Sequence, residues 1–328
     1  MSELKIGIVG LGMVGSPLRR LLETQRRFFL KKRFKRGENL FLDDINPGLC
    51  CCDNVNQADI IFVCVPTPTD LDNGGECDIS IVEEVVERIA DGKTIVIKST
   101  IPPGTTALFQ EKYPKKYFLF CPEFLTEANA WNDFKKPSRQ FIGVAGGNGS
   151  EIMEVIGKLK RLLPKPIHGK TEVITSTEAE LIKYLSNIFG YLKVVFGNMI
   201  LDFADAISEG AGHGSVRADY FEVMKGVGSD PRIGLSWLDA IHGGYRGAGG
   251  YCFPKDMNAF IADQEKLLRR LLLSITRDRC TRLLSEALNV LKAFRQYNRI
   301  LLEIYGLNEE RVSKHDVEFA KTMEAGRS

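Results

Sequence analysis

Nowhere in the 328 residues does an apolar run reach the roughly 18 residues that a membrane-crossing helix needs. The opening stretch, Met1-Ser-Glu-Leu-Lys-Ile-Gly-Ile-Val-Gly10, has only a short apolar run met at once by glycines, so it reads as neither a secretion signal nor an anchor. The eight cysteines (Cys50, Cys51, Cys52, Cys64, Cys77, Cys121, Cys252 and Cys280) lack the repeated C-x-x-C spacing of a zinc site. Reduced thiols in a cytoplasmic protein without a metal are therefore the expectation, and Cys50-Cys51-Cys52 reads as an incidental cluster in a turn. Net charge is nearly absent as well. With 44 basic and 42 acidic residues, bulk charge selects no partner. The basic segment from Arg26 to Arg36 reads as a solvated helix end and loop, and neither a nucleic-acid nor a membrane partner is expected. There is no internal repeat, and Asn308 to Ser328 holds too few apolar residues for a domain of its own. What remains is a globular composition, 44% hydrophobic and 26% charged, with a length that suits two domains.

Lys5-Ile-Gly-Ile-Val-Gly10 alternates apolar residues and predicts a buried strand, and Ser16 to Glu23 has helical character. Between them lies Gly10-Leu-Gly-Met-Val-Gly15. A G-x-G-x-x-G pattern is weak alone but strong between a strand and a helix. Its first glycine makes the tight turn, its second admits a pyrophosphate to the backbone, and its third lets helix and strand pack. The helix N-terminus adds partial positive charge. The next strand is expected to end in an acid that grips the adenine ribose and so favours NAD over NADP. Asn39-Leu-Phe-Leu-Asp-Asp-Ile-Asn46 offers Asp43 and Asp44, after a spacing lengthened by the basic segment.

Further strands are predicted at Ala58–Val65, Thr94–Lys98, Tyr117–Phe120 and Gln140–Val144, with a helix over Ile79–Ala90 and another opening after Ser99–Thr105. This alternation predicts an α/β fold, an N-terminal Rossmann doubly wound parallel sheet with ligands at the carboxyl ends of its strands. The loops at Pro66, Ser99 and Cys121 lie there. From Thr177, with a cap-like threonine and an early acid, a long helix is predicted toward Glu209. It places Lys183 and Asn187 on one face. Short helices are expected over Asp219–Lys225 and Leu235–Ile241, and helical sequence continues after Asp256 through Leu302.

One stretch resists a packing explanation. In Gly247-Ala-Gly-Gly-Tyr-Cys-Phe-Pro-Lys-Asp256 a cysteine follows a glycine pair, with a proline, a lysine and an aspartate within four residues. It reads as a reactive thiol in a crowded site. Other short motifs precede it in a fixed order: Val65-Pro-Thr-Pro68, Lys98-Ser-Thr-Ile-Pro-Pro-Gly-Thr105, Pro122-Glu-Phe-Leu-Thr-Glu127, Glu180-Leu-Ile-Lys-Tyr-x-x-Asn187 and Asp230-Pro-Arg-Ile-Gly234. As an ordered set they resemble the UDP-glucose/GDP-mannose dehydrogenase family over about residues 4 to 305.

That resemblance implies NAD-dependent oxidation of a nucleotide-sugar C6 alcohol to a carboxylate, UDP-glucose being the foremost substrate. Cys252 would be the nucleophile, capturing the aldehyde as a thiohemiacetal that becomes a thioester. Lys183 and Asn187 match positions that stabilise the oxyanion, Asp256 one that orients a water or moves a proton, and Glu127 and Thr100 ones near the hydrolytic water. The expected cofactor contacts are Gly10, Gly12, Met13, Val14, Gly15, Asp44, Pro66, Thr67, Ser99, Thr100 and Lys255. The expected substrate contacts are Glu123, Phe124, Leu125, Lys183, Asn187 and Gly249, with Arg232 reaching the substrate phosphate across a homodimer built on the long helix. The implied domains are a cofactor-binding domain over 1–170, a helical central and dimerisation domain over 171–265, and a helical extension with a polar tail over 266–328.

Departures accompany the match. Family members continue into a second Rossmann-like domain that closes over the nucleotide, whereas about twenty polar residues follow Leu307. The cysteine loop carries extra residues, and Tyr245 and Arg246 are candidates to bind the substrate in place of that domain. Two alternatives stay open: a two-electron alcohol dehydrogenase of the β-hydroxyacid type, and a nucleotide-binding protein without turnover.

Overall fold

A computed structural model describes residues 3–24, 33–49, 51–70, 74–146, 149–210, 217–242, 244–273 and 279–314. Cys50, most of the basic segment and the tail after residue 314 lie outside the described residues. The chain divides into two compact units, Met1–Pro68 with Cys77–Lys183, and Thr69–Glu76 with Tyr184–Ser328.

The first unit is the expected α/β layer structure. In chain order it contains β1 (Ile6–Val9), α1 (Gly15–Thr24), β2 (Leu40–Asp43) and β3 (Ile60–Val63). A short ribbon, β4 (Thr69–Asp70) with β5 (Glu76–Cys77), interrupts the series. Then come α2 (Ser80–Arg88), β6 (Thr94–Ile97), α3 (Thr105–Lys112), β7 (Tyr117–Phe120), α4 (Ala130–Lys135), β8 (Phe141–Val144), α5 (Ser150–Leu162) and β9 (Glu172–Thr175). Seven strands form one sheet in the order β2-β1-β3-β6-β7-β8-β9, parallel except where β7 meets β8. β1, β3 and β6 are buried along their whole length. Their β-branched runs suit a strand covered on both faces. One face packs Leu18, Leu21 and Leu22 of α1 and Ile152, Ile156 and Leu159 of α5. The other packs Val82, Val85 and Val86 of α2 and Phe109 of α3. The strand order reverses beside β1, the place where such sheets open a crevice at their carboxyl ends.

α6 (Ser176–Gly210) runs for 35 residues. It begins earlier than the threonine at 177 suggests, because Thr175 is the cap. The Thr175 hydroxyl accepts from the Glu178 backbone N–H at 3.3 Å while the Glu178 carboxylate accepts from the Thr175 N–H at 2.9 Å, a reciprocal capping box. β9, which the sequence pattern does not announce, pairs with β8 immediately before it.

The second unit is helical apart from two-residue strands. α7 (Tyr220–Gly228) is capped by the Asp219 carboxylate and packs Tyr220 and Met224 against Ala204, Leu238 and Ala240. Leu235–Ile241 is not the short helix expected: Trp237 adopts φ 64°, a left-handed conformation that stops helical propagation. β10 (Ile241–His242) and β11 (Tyr245–Arg246) then pair antiparallel. α8 (Cys252–Leu273) starts at the cysteine itself, and α9 (Arg279–Ile304) and α10 (Glu309–Val312) complete the unit. No helix among the described residues is long and apolar enough to cross a membrane, and no cluster of three or more His, Cys, Asp or Glu among them could hold a metal ion.

Candidate active site

The Gly10–Gly15 turn divides its glycines by task. Gly10 has φ 87°, and a methyl group there would lie 2.6 Å from the Cys64 carbonyl oxygen. At Gly15 it would lie 1.9 Å from the Gly10 carbonyl. Gly10 thus fits the turn against the residues that follow β3, and Gly15 closes the turn on itself. Gly12 faces open space, as a position offered to a ligand does, and Met13 and Val14 beside it are half-buried. At the end of β2 the Asp44 carboxylate accepts from the Leu11 N–H at 2.6 Å, which brings the acid to the glycine turn. Asp43 instead pairs with Arg88. Of the two acids the sequence offered, Asp44 is the one held at the turn.

The next two loops of the sheet are tied together. The Thr67 hydroxyl donates to the Thr100 carbonyl at 2.7 Å, and the Ser99 hydroxyl donates to the Val65 carbonyl at 2.7 Å. Pro66 remains exposed and Thr100 half-buried. The Ser99–Gly104 loop is held a second time by Glu180. This buried carboxylate accepts from the Gly104 N–H at 2.5 Å and the Thr106 N–H at 2.9 Å, and from the Thr106 hydroxyl. Burial raises its pKa to about 6 against the pull of those donors.

Glu123 follows β7 and forms an ion pair with Lys98 at 3.1 Å, the side chains being 12% and 4% exposed. The Lys98 ammonium also donates to the Cys121 carbonyl at 3.2 Å. Burial disfavours the charge on Lys98, but Glu123 and the neighbouring Cys121 and Cys64 outweigh it and raise its pKa. Those two thiols are pushed up by burial to about 11 and about 12, so they are inert as nucleophiles. Lys98 and Glu123 line a small cavity with Arg139, Gln140 and Phe141. Lys98 is a member of the site that sequence reasoning passed over, although it is the first residue of the Lys98–Thr105 motif. Phe124 stacks its ring under the Arg139 guanidinium at 4.1 Å, with the Lys183 ammonium 5.8 Å from its centre. Leu125 packs at the edge of the core, and Glu127 is half-buried on the turn that follows.

In the second unit, α8 presents Cys252 as its first residue, exposed to solvent. A helix N-terminus favours a thiolate. One turn further, Asp256 is fully buried. One carboxylate oxygen accepts from the Asn187 amide at 2.5 Å and the other pairs with Lys255 at 2.5 Å. Three residues singled out from two distant motifs therefore form one cluster. Phe253 packs on Gly190 of α6, where a methyl group would lie 2.5 Å from its ring.

The remaining candidates are placed differently. Arg232 is 87% exposed and paired with Asp230. Tyr245 is buried, and its hydroxyl fills the space a side chain at Gly249 would need, 1.8 Å from an added methyl group. Arg246 donates to the Asn198 side chain at 3.0 Å and to its carbonyl at 2.9 Å, and pairs with Asp202 at 2.6 Å. Tyr245 is thus engaged in the packing of its own loop, while Arg246 and Gly249 are partly exposed.

Residues 49–159 match the NAD binding domain, and residues 177–278 the central domain, of the UDP-glucose/GDP-mannose dehydrogenase family. The UDP-glucose 6-dehydrogenase of Rickettsia bellii (strain RML369-C) is 36% identical over 216 residues, 63% of this chain and 45% of that protein. The UDP-glucose 6-dehydrogenase of Rhizobium meliloti (strain 1021) is 34% identical over 237 residues, 69% of this chain and 49% of that protein. The chain spans about half the length of the curated relatives it matches. A UDP-glucose dehydrogenase structure from the hyperthermophilic archaeon Pyrobaculum islandicum superposes with a TM-score of 0.65 at 25% identity, covering 90% of this chain and 68% of that one. NAD is the cofactor of the matched N-terminal domain, and the open face of Gly12 beside Asp44 fits a dinucleotide pyrophosphate and ribose.

Proposed function

This chain belongs to the UDP-glucose/GDP-mannose dehydrogenase family, and on that premise we propose that it oxidises the C6 alcohol of a nucleotide sugar to the carboxylate in two NAD-dependent steps, UDP-glucose being the foremost substrate. Bound NAD supplies the hydride acceptor, one NAD for each of two steps. The observation that carries the reading is the exposed Cys252 at the head of α8, one turn from an Asp256 locked to Asn187 and Lys255.

Loss of the first hydride and a proton from the alcohol leaves an aldehyde. The Cys252 thiolate adds to its carbonyl carbon, forming a C–S bond and an alkoxide that takes up a proton to give the thiohemiacetal. Asn187 and Lys183, one turn apart on α6, are the donors assigned to that oxygen. Loss of the second hydride and the hydroxyl proton gives a thioester. Water then attacks the acyl carbon, the C–S bond breaks, and carboxylic acid and thiol are released. Asp256, Glu123, Glu127 and Thr100 are the groups assigned to position that water and carry its proton. Dinucleotide binding falls to Gly10, Gly12, Met13, Val14, Gly15, Asp44, Pro66, Thr67, Ser99, Thr100 and Lys255.

Purified protein given NAD and a panel of nucleotide sugars is expected to release two NADH per sugar. One NADH per sugar selects the two-electron alcohol dehydrogenase reading, and binding without NADH selects a protein without turnover. Cys252→Ala is expected to lower kcat on the order of 10⁴-fold or more, as removal of a covalent nucleophile does. A homodimer through α6 is part of the same reading. Leu185, Phe189, Phe196, Phe203 and Ile207 all leave large apolar side chains exposed along that helix. Phe196→Glu should yield a monomer by light scattering, and an unchanged mass removes this interface.

A further inference from the structure

The turn that delivers Cys252 has a support that no motif announces. Gly247 and Gly250 both lie in the left-handed region, at φ 109° and 77°. Between them, Ala248 is buried. Asn298, in the last third of α9, is buried completely. Its side-chain oxygen accepts from the Ala248 N–H at 2.7 Å, and its side-chain nitrogen donates to the Ala248 carbonyl at 3.1 Å. One amide therefore satisfies both backbone groups of one residue, as a neighbouring strand would. The fit is close on the glycine side as well: a methyl group at Gly247 would lie 2.8 Å from the Asn298 oxygen. Just before the turn, Tyr245 packs into a cluster with Leu302 of α9, Leu307 and Val312 of α10. The loop is thus pinned to α9 at two points before it reaches the cysteine.

We propose that Asn298 is a positioning residue for Cys252: by clasping Ala248 it fixes the height and direction in which the loop hands the thiol to the start of α8. This deepens the functional reading above and rests on it for the consequence in catalysis, but the clasp itself can be tested without turnover. The asparagine amide meets both needs, one acceptor and one donor. Aspartate cannot donate to the Ala248 carbonyl, and alanine leaves both backbone groups of a buried residue unpaired.

Exchange, labelling, binding, activity and melting measurements judge the proposal. Hydrogen exchange on the unaltered protein should show the Ala248 amide slowed by about 10²-fold or more relative to an open loop; exchange at the open-loop rate overturns it. Iodoacetamide labelling, followed on the peptide that contains Cys252, should change about 10-fold in rate at pH 7 in Asn298→Ala, with its pH midpoint displaced. NAD affinity should change much less than the labelling rate, since of the assigned dinucleotide contacts only Lys255 lies on α8. If the two-NADH assay succeeds, kcat should fall about 10²-fold, the scale of a 1 Å misplacement. A lower melting temperature with wild-type labelling rate and midpoint would mean support of the fold alone and would sink the proposal. Should Asn298→Ala fail to fold, Asn298→Asp keeps the shape and the acceptor while opposing the Ala248 carbonyl with a carboxylate, and the same labelling shifts are expected. Absence of NADH release with every sugar defeats the functional reading and leaves the exchange and labelling results to decide the clasp.

Discussion

Each unit buries a lysine–carboxylate pair, and the two are built in opposite ways. In the first, Lys98 directly follows β6 and Glu123 follows β7, two strands adjacent in the sheet, so strand pairing sets their distance. Lys98 has a backbone carbonyl as second partner, and Glu123 keeps a partly open side toward the small cavity. In the second, Lys255 and Asp256 are chain neighbours, the acid is sealed from solvent, and its second oxygen is taken by Asn187 of α6. A sheet can present an acid for work while anchoring its partner. A helix start has only its own next turn and a neighbouring helix, so its acid must be saturated to survive burial.

The sharpest way to break that contrast is Lys255→Met. It leaves Asp256 buried without its cation and should destabilise the fold by about 3–5 kcal/mol in urea denaturation. Lys98→Met should fall near the lower end, about 3 kcal/mol, because water can reach Glu123 from the cavity. Equal losses would mean that the two carboxylates are equally sealed. Glu180 tests burial by pH. Its folded pKa of about 6 lies above the unfolded value of 4.5, so its contribution is fully present below about pH 4.5 and is lost as pH rises through 6. Relative to Glu180→Gln, the wild type should lose about 2 kcal/mol between pH 4.5 and pH 7; a flat difference across that range contradicts a buried carboxyl at this position. Smallest of all, Arg232→Ala should leave the melting temperature unchanged, since its guanidinium is solvated and pairs with Asp230 at the surface. An altered KM with unaltered melting would favour the role at a substrate phosphate.

Much of the first unit was legible in the chain. Strands buried on both faces must be continuous apolar runs, and β1, β3 and β6 are, so their positions and the doubly wound class follow from local pattern. The glycine turn is equally local: Gly10 and Gly15 are demanded by atoms within the same strand–turn–helix or on the neighbouring strand. Errors fell where a distant contact decides. The break at Trp237 overrides a helical pattern, and Thr175 rather than the threonine at 177 caps α6 because β9 ends there. The partners of Arg246, Asn198 and Asp202 of α6, were likewise out of reach of any local pattern.

The chain by itself determined where the reactive groups stand along it: the glycine turn, the cysteine after its glycine pair, and the lysine and asparagine one helical turn apart. These depend on backbone conformation and helical spacing, which a few neighbouring residues dictate. Only the tertiary structure decided which polar groups hold them. Lys98 meets Glu123 across two strands, Asn187 meets Asp256 between two helices, and Asn298 reaches Ala248 across 50 residues of chain. No local pattern encodes such partners, because each is selected by the need to satisfy a buried donor or acceptor that exists only once the elements have packed.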